Sequence, residues 1–302
     1  MEISLLSRFE GGLLGSTMAL ELPEIDSTFA FWKKIQNGAI ATLIETGKLE
    51  TQDWWQQIDR DDRPSLECQK TGTSSEVAAM ALPIILFFHD IPLQLNAELS
   101  RIASLWLHPE EPIEDILLWG EAIALILQEN FNPSQFLPQL ISRSPPRESL
   151  LNALQDAIER GLSLQQTART IADRPLSQTE IALALYCFSF TPEDFSLCWH
   201  RSQQFNPLAA ILTGAIAGVY NSSLGFPPSW CLSPQRQQIL EKARWLFSAW
   251  SGCYILDNRD RLPRTAIGAA GTIQARKGFA TISQRESRFP SYPTKSRSLN
   301  LS

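Results

Sequence analysis

Cysteine is scarce and poorly spaced for chemistry. Cys68, Cys187, Cys198, Cys231 and Cys253 include no CxxC pair, and their number is odd. A chain of 302 residues needs no disulfide staples, so the thiols read as reduced and partly buried, in a cytoplasmic protein. Long apolar runs are also missing. The longest, Val77 to Phe88, is twelve residues and is interrupted by Pro83, against the roughly 20 that a membrane span needs. The opening MEISLLSRFEGG has no basic region followed by an apolar stretch, so it does not read as a signal peptide. No P-loop, GxGxxG or GxSxG occurs, which leaves nucleotide-hydrolase, dinucleotide and α/β-hydrolase readings without support. Fifteen Gly and nineteen Pro exclude a collagen-like repeat. Positive charge is short as well. The net charge is −6, so the main body is not a general nucleic-acid binder.

What is present is apolar material in helical register. Hydrophobic residues make up 44%, enough for a real core and too much for a disordered chain. Ile113, Ile116, Leu117, Ala124 and Leu125 recur at three- and four-residue spacings. The acids at 110, 111, 114 and 115 fall where they favour a helix dipole. Asn132-Pro133-Ser134 ends one helix and opens the next. ESLLNALQDAIER at 148–160 repeats the pattern, with Gly161 as a C-cap. Ser163 begins another helix that stops before Pro175, and 176–189 is apolar and helix-prone. Thr191 reads as an N-cap with Pro192 at the first helical position. PLAAILTGAIAGVY at 207–220 reads as a buried helix of small residues, and 234–250 as an amphipathic one with Trp245 and Trp250. No sustained two-residue alternation appears. The expected fold is all-α, a single compact multi-helix bundle of about a dozen helices without internal repeat.

Composition shifts near residue 258. Nine Lys/Arg stand against Asp260 and Glu286 in 258–302, a charge of +7 that leaves −13 on residues 1–257. The expected organisation is one helical domain over 1–257 and a basic, Pro/Ser-containing, flexible tail over 258–302.

Chemistry-bearing side chains are few. His89-Asp90 follows an apolar helix, and His108-Pro109-Glu110-Glu111 precedes another; lone histidines near helix ends are more often structural than metal-bound. Glu21, Glu24 and Asp26 follow the opening helix and read as a solvated loop. Asp59, Asp61 and Asp62 alternate with Arg60 and Arg63, a pattern of internal pairing.

Three stretches, in order, resemble the ADP-ribosylglycohydrolase family. RFEGGLLGSTMAL at 8–20 is similar to its opening G-x-L-L-G helix, SSEVAAMALP at 74–83 to its central Ala-Ala-Met segment, and RSQQFNPLAAILTGAIAGVYNSSLGFPPSW at 201–230 to its C-terminal signature. The resemblance spans about residues 5–250 and implies an all-α bundle. Active members cleave the bond between ADP-ribose and a protein side chain or small molecule. They use two Mg²⁺ or Mn²⁺ ions held by oxygen ligands from an early Thr-Asp-Asp and a late Asp-x-Asp-Thr motif.

Carried over by position, the early motif falls near Phe31, Trp32, Lys33 and Lys34, and the Gly-Asp of the opening motif falls on Ala19 and Leu20. The late motif falls on Gln203 to Leu208, so that Phe205, Pro207 and Leu208 stand where the family has Asp, Asp and Thr, with Asn206 between the first two. Lys33, Lys34, Phe205, Asn206 and Pro207 thus mark a degenerate ancestral site without metal ligands. The resemblance implies a catalytically inactive protein without a cofactor, acting as a regulatory or assembly partner of another protein, with the basic tail free to contact an acidic surface. The alternative is a divergent hydrolase with a relocated or metal-independent site drawn from Glu21, Glu76 or His89. A third reading gives Lys33 and Lys34 the charge role of the lost metals, in an anion-binding module.

Overall fold

The computed structural model describes residues 4–19, 27–51, 53–54, 71–128, 131–172, 174–223, 225–227, 230 and 232–252. The segment 258–302 and Glu21 lie outside them, as do Cys68, Cys231 and Cys253.

Among the described residues, thirteen α-helices and two 3-10 turns make up the regular structure. The α-helices are α1 (Leu5–Ala19), α2 (Ser27–Thr46), α3 (Ser74–Met80), α4 (Leu82–Phe88), α5 (Pro92–Trp106), α6 (Ile113–Leu127) and α7 (Phe136–Arg143). They continue with α8 (Glu148–Glu159), α9 (Leu164–Thr170), α10 (Leu176–Phe190), α11 (Phe195–Gln203), α12 (Pro207–Asn221) and α13 (Pro234–Ser251). The one extended pairing among these residues is an isolated bridge between Gly72 and Leu107.

Local signals set the boundaries. Thr73 caps α3 in a capping box with Glu76, and Ser163 caps α9 in one with Gln166. Pro83 ends the long apolar run as a single helix, and the chain restarts as α4. Gly161 and Gly252 close α8 and α13 with φ of 62° and 68°, the left-handed region that glycine enters without strain. At 191–194 the expected start moves. Asp194 rather than Thr191 caps α11, accepting from Leu197 N at 2.9 Å. The Thr191 carbonyl instead accepts from Cys198 Sγ. A carboxylate is the better cap, and it stood three residues further on.

The centre of the bundle is α12, buried from Leu208 to Val219. It lies against α1 through two glycine pairs. A Cβ on Gly214 would come within 2.4 Å of the Gly15 carbonyl oxygen, and one on Gly218 within 2.3 Å of Gly11 O. The approach is reciprocal, since a Cβ on Gly11 or Gly15 would strike Gly218 O or Gly214 O. The GGLLG and GAIAG motifs are therefore the two halves of one backbone-to-backbone contact.

Two buried helices, α6 and α10, flank this core and carry acids inward. Asp115 on α6 is only 1% exposed and meets Arg147 at 2.6 Å. The sequence reading gave Asp115 only a helix-dipole role; the 3-10 turn Pro145–Arg147 sets an arginine over it. Cys187 and Cys198 are buried free thiols, and burial pushes them up to about 12 and about 11.

Candidate functional site

The N-terminus of α12 is the natural place to look, because the carried-over late motif falls there. Asn206 is its cap. The Asn206 Oδ1 accepts from Ala209 N at 2.7 Å, and Pro207 takes the first helical position. The other end of the same side chain donates from Nδ2 to Glu180 Oε1 on α10 at 2.6 Å.

Glu180 is 6% exposed. Burial pushes its carboxyl up to about 7, against the pull of hydrogen bonds from Ser75 and Asn206, and with a further push from the charges of Glu76 and Glu111. Glu111, just before α6, behaves in the opposite way. Burial works against its charge, but the Ser74 and Ser177 hydroxyls and the Ser74 N–H all donate to its Oε2 and hold it below the usual range. Glu76 Oε2 accepts from Thr73 N at 2.9 Å as part of the α3 cap. Glu76 on α3 and Glu111 before α6 thus both stand within electrostatic reach of Glu180 on α10.

Beside them is a small pocket of about 20 Å³ between α2, α3 and α12. That is room for about one water. Trp32, Lys33, Glu76, Met80, Leu208 and Ile211 are among its walls. Trp32 is 3% exposed and packs edge-on against Phe31 and Trp106, at 5.0 and 6.2 Å between ring centroids. Its ring also lies where a Cβ on Gly72 would be, 2.3 Å away. The Trp32 indole N–H is buried and meets no acceptor among the described residues.

The fold therefore brings together part of each carried-over cluster: Trp32 and Lys33 from the early one, Leu208 from the late one. It does not bring Phe205 there. Phe205 is half-buried and lines a separate surface groove of about 480 Å³ with Ser163, Leu164 and Arg169. Of the late-motif positions it is Leu208 that reaches the pocket, because the first turn of α12 points it inward. Lys34 is exposed. Of the proposed replacement ligands, Glu76 lines the pocket. His89 does not: it is packed against Phe9 and Trp250, and its Nδ1–H donates to Leu86 O at 2.7 Å. An indole, an ammonium, a leucine and a single carboxylate, Glu76, which already accepts from Thr73 N, do not fit a pair of hard divalent cations, which require several oxygen ligands each.

Glu180 and the Asp115–Arg147 pair were missed by sequence reasoning, which named Glu111 only within the His108-Pro109-Glu110-Glu111 run. The signal for Glu180 was available: it is the one charged residue in LSQTEIALALYCFSF, and a lone carboxylate in an apolar helix must find partners.

A family model for ADP-ribosylglycohydrolase matches residues 22–255. That is more than half of the chain, and the chain belongs to this family. The opening GGLLG helix stands before the matched region. No curated protein matches the chain. Among the described residues no helix is long and apolar enough to cross a membrane.

Proposed function

We propose that this chain is a catalytically inactive member of the ADP-ribosylglycohydrolase family, which keeps the helical scaffold and works as a regulatory or assembly partner. One observation carries the reading. Where early and late motifs of the family meet, the side chains are Trp32, Lys33 and Leu208, closed on a space of about 20 Å³. Such a space takes a water and not a ribose. No step through a metal ion is derived, since these residues supply none of its ligands. The basic segment 258–302 would provide attachment to an acidic partner surface. Such attachment is salt-sensitive, because exposed charges are screened within about 8–10 Å at physiological salt.

The test is calorimetry with Mg²⁺ and Mn²⁺ together with a hydrolysis assay on ADP-ribosyl-arginine. Neither two-site divalent binding in the micromolar range nor turnover above background is expected, and either one refutes the proposal. For the partner role, the full chain and one truncated at Asn258 are compared in pull-downs at low and high salt. Loss of recovery on truncation at low salt is expected; equal recovery removes the tail from the proposal.

One observation favours the second reading, a divergent hydrolase with a relocated, metal-independent site. A carboxyl pushed up to about 7, in reach of two further carboxylates, is the type of group that serves as a general acid. Turnover that Glu180→Gln abolishes, with the fold intact, would establish that reading in place of the first.

A further inference from the structure

A second pocket lies on the other side of Lys33. It is formed by α1, α2 and α13 and has a volume of about 90 Å³. Its polar lining is two lysines, Lys33 and Lys242, with Thr17, Asn37 and three glutamines that include Gln238, over an apolar floor that includes Leu13 and Ile239. Two of these groups are ammoniums, the rest are neutral, and none is a carboxylate. Among the described residues neither lysine makes an ion pair. The acids on the neighbouring turns of α13 and α1 are engaged elsewhere: Glu241 accepts from Gln237 Nε2 at 2.9 Å, and Glu10 from Arg244 Nε at 2.8 Å.

Like charges converging on one recess are unfavourable unless something negative sits between them. Lys242 shows the strain. Lys242 is exposed overall, yet desolvation where it meets the recess, and then the charge of Lys33, hold its ammonium below the usual lysine range. Its Nζ donates one proton to Asn37 Oδ1 at 2.8 Å, which leaves further Nζ–H groups and the Asn37 Nδ2–H₂ as donors. Donors therefore outnumber acceptors around the recess. At about 90 Å³ the recess has room for several waters, or for one tetrahedral or planar oxyanion.

We propose that this pocket is a binding site for a small oxyanion of the phosphate class, held between Lys33 and Lys242. Lys33 is then placed for an anion in the recess between α2 and α13, with Lys242 as its partner rather than Lys34. The inference does not depend on whether the chain is an active hydrolase, since the pocket stands behind α2 and apart from the carboxylates.

The test uses the full chain and inorganic phosphate, titrated by calorimetry at an ionic strength held constant with sodium chloride. Saturable binding is expected in the wild type. The Lys33→Gln/Lys242→Gln double variant should weaken it about tenfold or more, a difference of about 1.4 kcal/mol or more. Gln238→Glu, which puts a carboxylate into the recess, should weaken it similarly, and Lys48→Gln, two residues past the far end of α2, should leave it unchanged. Competition by AMP at similar concentration would assign the terminal phosphate of a nucleotide as a source; no competition would assign free oxyanion, and both uphold the site. Heat that tracks ionic strength without saturating, or equal phosphate affinity in wild type and double variant, overturns it. Thermal melting of each variant without phosphate guards against loss of fold.

Discussion

Glu180 makes the stability of this protein depend on pH in a direction that is easy to get wrong. Its carboxyl has an ordinary value of 4.5 and is pushed up to about 7 in the fold, mainly by burial. The folded state therefore holds a proton that the unfolded state releases between these two values. By linkage, stability falls as pH rises through that window. The contribution of the neutral acid is fully present below the unfolded value and is lost as pH rises through the folded one. A shift from 4.5 to about 7 corresponds to about 3 kcal/mol at the alkaline end. Glu180→Gln removes the ionisation and keeps a carbonyl oxygen for the Asn206 amide to donate to. Urea unfolding of wild type and variant at pH 5 and pH 8 isolates the effect, because other groups, including Asp115, titrate alike in both proteins. The variant should gain about 2–3 kcal/mol relative to wild type between pH 5 and pH 8. A difference between the two proteins that is the same at both pH values would show that Glu180 is ionised or neutral throughout, and would refute the account of its environment.

Two further outcomes follow from contacts in the core. Gly214→Leu puts a side chain where the Gly15 carbonyl stands, 2.4 Å from the Cβ position, and should cost at least about 1–3 kcal/mol in chemical unfolding; a variant that melts with the wild type would mean that α1 and α12 do not cross there. Asp115→Ala removes the 2.6 Å partner of the Arg147 guanidinium and leaves it only the looser pairing with Glu114 at 3.8 Å, and should cost up to about 3 kcal/mol at pH 7. Adding Arg147→Met should recover part of that loss in a double-mutant cycle; additive losses would argue against the pair.

The helices were largely legible in the sequence because caps and apolar spacing are local. Pro207 at the first position of α12 and Gly161 past α8 say where to start and stop, whatever the rest of the chain does. The Asp194 cap was misread by three residues because Thr191-Pro192 carries a similar local signal. The site was legible only in part. That residues 31–34 and 205–208 belong together came from the family pattern, and the fold does place Trp32 and Lys33 beside Leu208. Which of them faces inward depends on helix phase after Asn206, and that turned Leu208 in and Phe205 out. Lys242 could not have been paired with Lys33 from sequence, because about two hundred residues separate them and only the packing of α13 on α2 brings them to one recess. Asp115 illustrates the same limit. An acid in the first turn of a helix satisfies the dipole rule equally well in water or in the core, and only Arg147 decides between the two.

The proposed loss of catalysis is compatible with an intact fold because contact and chemistry reside in different atoms. The α1–α12 crossing is made by the backbone at Gly11, Gly15, Gly214 and Gly218, and no side chain at 205, 207 or 208 takes part in it. A change from carboxylate to apolar at 205 and 207, and from threonine to leucine at 208, leaves the crossing untouched and removes like charges from the interior, which lowers the electrostatic cost of closing the cleft. What remains polar at the helix start has a structural role: Asn206 caps α12 with one end of its amide and satisfies Glu180 with the other. On this account Asn206 is a hinge of stability rather than a remnant of catalysis. Asn206→Asp should keep the cap but set a second carboxylate 2.6 Å from Glu180, so its penalty should grow from pH 5 to pH 8. Denaturant midpoints that move equally at both pH values would break the link between the cap and the buried acid.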